Sequence, residues 1–245
     1  MLKEFRCDFH IHSCLSPCAE LEMYPSALVA RSLERGLDLI GICDHNASEN
    51  VRYVIKAAEG TALTVLPGME ITSREEVHIL GLFEKIESLL RLQEIVYRAL
   101  PGVNDEDIFG CQAIVNEDDE VEGFNERLLI GSTTLPLRAI TEAIQNLQGI
   151  AVAAHIDRES FGVFGQLGFI PDDVRFDALE VSYRTDVQTM RKQYPELAGQ
   201  PILQSSDAHR IDEIGRASTT LLLAEPTIAK LKKALAGREG RWIVE

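Results

Sequence analysis

The chain has 245 residues, enough to bury a large core, and because β/α barrels commonly run to this length undivided the expectation is a single domain over 1–245. With 24 basic against 39 acidic residues the net charge is −15, the wrong sign for generic attraction to nucleic acid phosphates, so long nucleic acid is a disfavoured partner. No apolar run approaches the roughly 18 residues of a membrane span, and the start, "MLKEFRCDFH", lacks the long apolar core of a signal peptide, so a cytoplasmic protein is expected.

In chain order, short β-rich runs alternate with helical stretches, as βαβ units should. "FRCDFHI" (5–11) reads as the first strand. Pro25 then opens a helix that Gly36 closes, in keeping with proline at a helix start and glycine past its end. "LDLIGICDH" (37–45) is the second strand, followed by a helix over 50–60. "ALTVLPGMEIT" (62–72) and "EVHILGLFE" (76–84) read as a strand and a partner joined by a tight polar turn. Residues 101–134 interrupt the rhythm, and there "CQAIV" and "VEGFN" flank "NEDDE" like a hairpin with an acidic turn. That stretch is expected to be a solvated surface insertion, with a substrate-covering flap as the lesser reading. The remaining runs are "GIAVAAHID" (149–157), "DALEVSY" (177–183), "PILQSSDAH" (201–209) and "STTLLLA" (218–224). Their continuous apolar character predicts a mostly parallel sheet covered on both faces.

All six histidines fall in these runs. His10 and His12 end the first strand, His45 ends the second, His78 lies in the fourth, and His155 and His209 end later ones. Side chains two apart on a strand share a face, so His10 and His12 pair inward with Asp8 further down, and Asp207 pairs with His209. In a β/α barrel, groups on strand ends converge on one mouth. Imidazole and carboxylate suit Zn, Mn or Fe. Glu70 adds a carboxylate able to bridge two ions, and a cluster of this size exceeds one ion's coordination, so two or three divalent ions are expected. Glu70, Asp207 and Asp44 are the acids assigned to the chemistry. Asp44 precedes His45 and by alternation faces the other way, which makes it a supporting acid. The five cysteines, an odd number, are expected as reduced thiols. Cys18 and Glu20 stand apart because the loop after the histidine pair lies over the mouth, where either can be a metal ligand.

Taken together, "DFHIHS", "CDHN", "GMEI", "EVHIL", "AHID" and "SSDAH" resemble the ordered motifs of the PHP (polymerase and histidinol phosphatase) domain. The resemblance covers nearly the whole chain apart from 101–134. It implies an α/β fold, a distorted TIM-like barrel of seven β/α units with one inserted segment, holding a di- or trinuclear metal centre of the kind found in phosphoesterases. Matched position by position, His10, His12, His45, Glu70, His78, His155, Asp207 and His209 fall on metal ligands of the family. Family members usually place an Asp or His five or six residues after the second histidine, and here Pro17 and Cys18 stand there. Cys18 or Glu20 is therefore the expected substitute in the shell of a third ion.

The chemistry this pattern supports is hydrolysis of a phosphate ester. Clustered cations neutralise the phosphoryl oxygens and lower the pKa of a bound water toward about 7, so the expected nucleophile is a metal-activated hydroxide. Three arginines adjoin the motifs, Arg158, Arg184 and Arg210, and guanidinium forks bind phosphate oxygens in pairs. Arg184 ranks first because "DALEVSY" leads to the mouth, and Arg158 second. The expected substrate is a small phosphorylated metabolite or nucleotide. An exonuclease or nucleotide phosphatase acting on nucleic acid ends is the alternative, and a non-catalytic, metal-stabilised PHP scaffold is a third reading. Amidohydrolase chemistry through a carboxylated lysine is disfavoured, because no lysine lies in the motif strands. Oligomeric state is not legible.

Overall fold

A computed structural model describes residues 1–244. The first half of the chain runs β1 (Lys3–Ile11), α1 (Pro25–Glu34), β2 (Leu39–Ile42), α2 (Val51–Ala57), β3 (Thr64–Thr72), β4 (His78–Leu82), α3 (Ile86–Ala99) and α4 (Glu106–Phe109). It continues with β5 (Ala113–Val115), β6 (Val121–Phe124), α5 (Leu137–Asn146), β7 (Ile150–Ala153), α6 (Val163–Leu167), β8 (Ala178–Val181) and α7 (Val187–Gln193). Last come β9 (Ile202–Gln204), β10 (Thr219–Leu223), α8 (Ile228–Leu235) and β11 (Ile243–Val244). Pro25 stands at the start of α1 and Gly36, just past its end, has φ +67°, as the sequence signals required.

One sheet carries nine strands in the order β11, β10, β1, β2, β3, β4, β7, β8, β9. The expected mostly parallel sheet is corrected here. β1–β2–β3 and β7–β8–β9 are parallel runs, but β4 is antiparallel to both β3 and β7, and β10 to both β1 and β11. The cause is local: the polar turn after Thr72 is too short for a crossover helix, so the chain must return as a hairpin.

The sheet curls until its ends meet. At the mouth the segment after β9 bonds to β1, with His12 N donating to Ala208 O at 2.9 Å and Ala208 N to His10 O at 3.3 Å. Lower down, the Thr219 hydroxyl of β10 links to the backbone of Gln204 in β9. Asp8 was expected to share the face of His10 and His12. Its carboxylate instead accepts from the backbone N–H of Ser206 (2.9 Å) and Gly215 (3.0 Å), holding the returning segment. The register shift in the β1–β2 ladder between Asp8 and Ile11 is where strict alternation fails.

Apolar side chains pack in two layers. Inside the barrel, Phe9, Leu82, Ile150, Leu203 and Leu221 converge from five strands onto Leu231 and Leu235 of α8, which plugs the end opposite the mouth. Outside, Ile40, Ile42, Met69, Ile71 and Ile79 meet Leu28 and Val29 of α1, Val54 of α2, Leu92 of α3 and Ile144 of α5. The interior is narrow: a Cβ at Gly41 would lie 2.5 Å from Phe9 O, and one at Gly68 2.6 Å from Cys43 Sγ. A side chain at either position would force β1, β2 and β3 apart.

The insertion does contain the expected hairpin, β5 and β6 pairing antiparallel around the acidic turn. It is tied down rather than free. Asp119 accepts from the Ser26 hydroxyl, Glu122 from Tyr53, and Glu117 pairs with Lys56, while Ala113 N donates to Cys14 O at 3.2 Å. The hairpin thus braces the loop that follows the histidine pair.

Candidate metal centre

The six histidines meet at one end of the barrel. His10 closes β1 with His12 just beyond it, while His45, His155 and His209 follow β2, β7 and β9. His78 arrives by a different route, as the first residue of β4. Because β4 runs antiparallel to β3 and β7, its beginning lies beside their ends. Asn46, His155 and Asp207 all carry positive φ, at 50°, 28° and 50°. Left-handed backbone at non-glycine residues costs on the order of 1–3 kcal/mol and persists where surrounding structure enforces it, often at functional sites.

Glu70 sits at the centre. Its Oε1 is 2.7 Å from His78 Nδ1, 3.1 Å from His155 Nε2 and 3.4 Å from His10 Nε2. Its Oε2 is 3.0 Å from His45 Nδ1 and 3.4 Å from His12 Nε2. Asp207 Oδ1 approaches His10 Nε2 (3.4 Å), His12 Nε2 (3.3 Å) and His209 Nδ1 (3.7 Å). Glu70, His10, His12 and His155 are at most 1% exposed, so the carboxylate is almost dry. Three trios each bring their ligand atoms within 4.8 Å of one another: His10, His12 and Glu70; His45, Glu70 and His78; and His12, His45 and His209.

Outer groups set the tautomers. His10 Nδ1 lies 2.9 Å from Glu180 Oε1, a carboxylate that accepts the Nδ1 proton's hydrogen bond and leaves Nε2 of the neutral ring facing the cluster. The Ser16 hydroxyl donates to Asp44 Oδ1 (2.7 Å), leaving its oxygen to accept from His12 Nδ1 (2.9 Å) and from His45 N (3.2 Å). His12 Nε2 is therefore also bare on the Glu70 side. The two Nε2 atoms face each other at 3.1 Å, a separation that needs a proton or a cation between them. Asp44 is held further by Ser13 N and Ser13 Oγ, both at 2.7 Å, and positions the histidines from behind. Glu180 and Ser16 carry no motif signal. The only hint for Glu180 is an acid inside the apolar strand "ALEV", where a buried charge demands a partner.

Electrostatics favour a cation at the centre. Burial works to raise Glu70, but His78, His10 and His45 outweigh it and hold the carboxyl well below the usual range. Burial likewise opposes ionisation of Asp207, and His10 and His12 among others overturn it, keeping the group ionised. Burial drives His12 well down and His78 to about 4, whereas His10 and His45 are held well above the usual imidazole range despite burial, His10 by Glu180 and Glu70 and His45 by Cys18 and Glu70. In addition, His155 Nδ1 and Glu180 Oε2 are buried without a hydrogen-bond partner among the described residues, while His45 Nδ1 crowds Glu70 Oε2 at 3.0 Å and His78 Nδ1 crowds Glu70 Oε1 at 2.7 Å without the angles of a hydrogen bond. So many orphaned nitrogen and carboxylate atoms around one point fit a divalent metal cluster.

The remaining candidates separate. The Cys18 thiol faces His45 and His209; burial alone would raise it, but the two imidazoles bring it down to about 6. Glu20 does not face the cluster: its carboxylate reaches out to Arg210 Nε at 3.4 Å, both side chains being exposed. Arg210 is thereby spent on surface pairs with Glu20 and Asp212. Arg184 donates to the hydroxyl of its neighbour Tyr183. Of the three arginines only Arg158 touches the site, at 2.6 Å from Asp207 Oδ2. Arg184 lies beyond the end of β8, where the strand no longer dictates side-chain direction. Arg216, unmarked by any motif, stacks on Tyr183 and donates to the Ser206 carbonyl, bracing the Asp207 segment.

No protein-family profile and no curated protein matches the chain. Solved structures do match in fold. The lesion-specific endonuclease PfuEndoQ from Pyrococcus furiosus superposes with a TM-score of 0.78 at 19% identity, over 98% of this chain and 58% of that one. An Endonuclease Q complex with a 27-mer duplex bearing an abasic lesion at the active site gives 0.79 at 20% identity, with the same coverage. A Bifidobacterium adolescentis protein provisionally named a metal-dependent phosphoesterase gives 0.56 at 19% identity, over 83% of this chain and 87% of that one. The chain thus spans 58% of the endonuclease chains it resembles. With the curled nine-stranded sheet and the histidine-lined mouth, these likenesses show that the chain has the distorted TIM-like barrel fold of the PHP type.

Proposed function

We propose that this protein is a metal-dependent hydrolase of phosphate esters, acting on a small phosphorylated metabolite or a nucleotide. The observation that carries the reading is the dry, central Glu70, with nitrogens of five histidines within 3.4 Å of its carboxylate. His10, His12, His45, Glu70, His78, His155, Asp207 and His209 would hold two or three divalent ions, with Zn, Mn and Fe the candidates for this donor set. When bound, such ions supply positive charge for phosphoryl oxygens and acidify water toward a pKa of about 7.

The chain's own residues do the rest. Glu180 and the Ser16–Asp44 pair orient His10 and His12. Arg158, anchored on Asp207 at the rim and partly exposed, has guanidinium nitrogens to spare for a phosphoryl oxygen. The centre is sunk, with His209, Arg158 and Cys18 the accessible edge, a geometry that favours a terminal phosphoryl group over the flank of a duplex. The reading takes 1–245 as one domain and the compartment as the cytoplasm, in line with five unpaired cysteines.

A hydrogen bond to a charged group contributes about 1.5–3 kcal/mol, and each 1.4 kcal/mol is about tenfold. Arg158→Ala is therefore expected to raise KM and weaken inhibition by inorganic phosphate about tenfold or more, with metal content unchanged. Arg184→Ala should leave both untouched. Steady-state kinetics check this, and an unaltered KM in Arg158→Ala removes that residue from substrate binding.

The second reading, cleavage at nucleic acid ends or lesions, is favoured by the duplex-bound Endonuclease Q structure. Against it stands the net charge of −15. The deciding experiment pairs elemental analysis with phosphate release from sugar phosphates, nucleotides and short oligonucleotides, and strand cleavage of a duplex carrying an abasic site. Two or three ions per chain with turnover of a small ester supports the proposal. Turnover of the oligonucleotides or the duplex alone replaces it with the nuclease reading, and bound metal without any turnover replaces it with the scaffold.

A further inference from the structure

His78 is oriented differently from the histidines of β1. His10 Nδ1 has Glu180 and His12 Nδ1 has Ser16 as outer partners, whereas His78 turns its Nδ1 inward to Glu70 and has no outer acceptor of this kind among the described residues. What covers it is carbon. The half-buried Phe161 ring lies nearly parallel to the imidazole, with 16° between the planes and 4.4 Å between the centroids. The backbone repeats the contact: His78 N donates to Phe161 O at 2.9 Å and Ala154 N to His78 O at 3.1 Å, so the segment after β7 holds both main-chain groups of His78.

Phe161 does this in a costly conformation. Its φ is +61°, left-handed backbone that a bulky side chain rarely adopts and that persists only where the surroundings enforce it. They enforce it here through a tight reversal: a Cβ at Gly162 would stand 2.4 Å from Arg158 O and 2.9 Å from His155 O. Ser182 N and Oγ pin the Asp157 carboxylate of the same loop at 2.7 and 2.6 Å. The loop thus grips the cluster twice, at Asp207 through Arg158 and at His78 through Phe161.

We propose that Phe161 is a positioning residue for a divalent ion held by His45, Glu70 and His78, its ring fixing the plane of the His78 imidazole as Glu180 and Ser16 fix those of His10 and His12. This rests on the reading of the mouth as a metal centre and adds a residue that no motif marks. An imidazole ligates only along a lone pair in the plane of its ring, so a ring free to turn must be ordered whenever an ion binds. Stacking removes that freedom beforehand. Aromatic pairs contribute enough beyond burial to change an affinity about 2–10-fold. Phe161 has no atom able to ligate, so its effect falls on the affinity of the one ion that His78 holds.

The test takes the full chain, stripped with a chelator, and titrates it with Mn2+ alone, reading free Mn2+ by electron paramagnetic resonance in the wild type, Phe161→Leu and Phe161→Tyr. In Phe161→Leu, which keeps apolar bulk without the ring, one ion is expected to bind about 2–10-fold more weakly while the others are unchanged. Phe161→Tyr keeps the ring and should bind all ions as the wild type does. Equal affinities in wild type and Phe161→Leu overturn the role of the ring. So does binding by Phe161→Tyr as weak as that of Phe161→Leu, because the loop then tolerates no change of any kind. Weakening of every ion together with a lower melting temperature of the chelated variant overturns it as well, the loss then being one of fold. Each of these results leaves the metal centre standing, whereas a wild type that binds no Mn2+ overturns both.

Discussion

Glu70→Gln is expected to retain the fold, lose at least one bound ion and lower kcat/KM by 10²-fold or more. Glu70 is the one carboxylate within reach of His10, His12, His45, His78 and His155. The amide keeps the shape but removes the charge, and turns an N–H donor toward lone pairs and cations that require an acceptor. Removing a single preorganised electrostatic contact costs on the order of 10²–10³ in rate elsewhere, and here the same group also holds the ions. Elemental analysis, circular dichroism and steady-state kinetics on one preparation check the prediction. A variant with full metal content and activity within about tenfold of the wild type, a loss of only about 1.4 kcal/mol, would sink the central role given to Glu70.

Glu180→Gln should have the opposite signature: weaker metal binding by about 10–100-fold, with kcat restored once metal is saturating. Glu180 Oε1 accepts from both His10 Nδ1 and His155 N, so it fixes two histidines of the cluster without reaching into its centre through that oxygen. An amide oxygen can still accept one of these bonds, which is why the loss is in affinity rather than in the fold. Metal titration followed by kinetics at saturating metal separates the cases. Were kcat to stay low at any metal concentration, Glu180 would be a ligand through its orphaned Oε2 rather than a positioning residue.

The fold and the centre were unequally legible. Helix α1 was readable because Pro25 and Gly36 act within one turn of chain, and the hairpin of the insertion because its turn is local. The antiparallel course of β4 was not, because strand direction depends on which neighbour a segment finds. Yet His78 still meets the other histidines, since an antiparallel strand begins where its neighbours end. The pairing of His10 and His12 followed from the two-residue period of a strand, while Asp8 escaped that rule at a shift in register.

What the sequence by itself determined is the donor set: six histidines, Glu70 and Asp207, placed near strand ends, where barrel geometry must bring them together. Only the tertiary structure decided the partners of that set, because these depend on contacts between segments far apart in the chain. Glu180 beneath His10, Ser16 and Asp44 behind His12, Arg158 rather than Arg184 at the rim, and Cys18 rather than Glu20 facing the histidines all rest on which strands lie side by side and how each loop folds back. Local periodicity sets the face from which a side chain departs; the packing of distant segments sets what it meets.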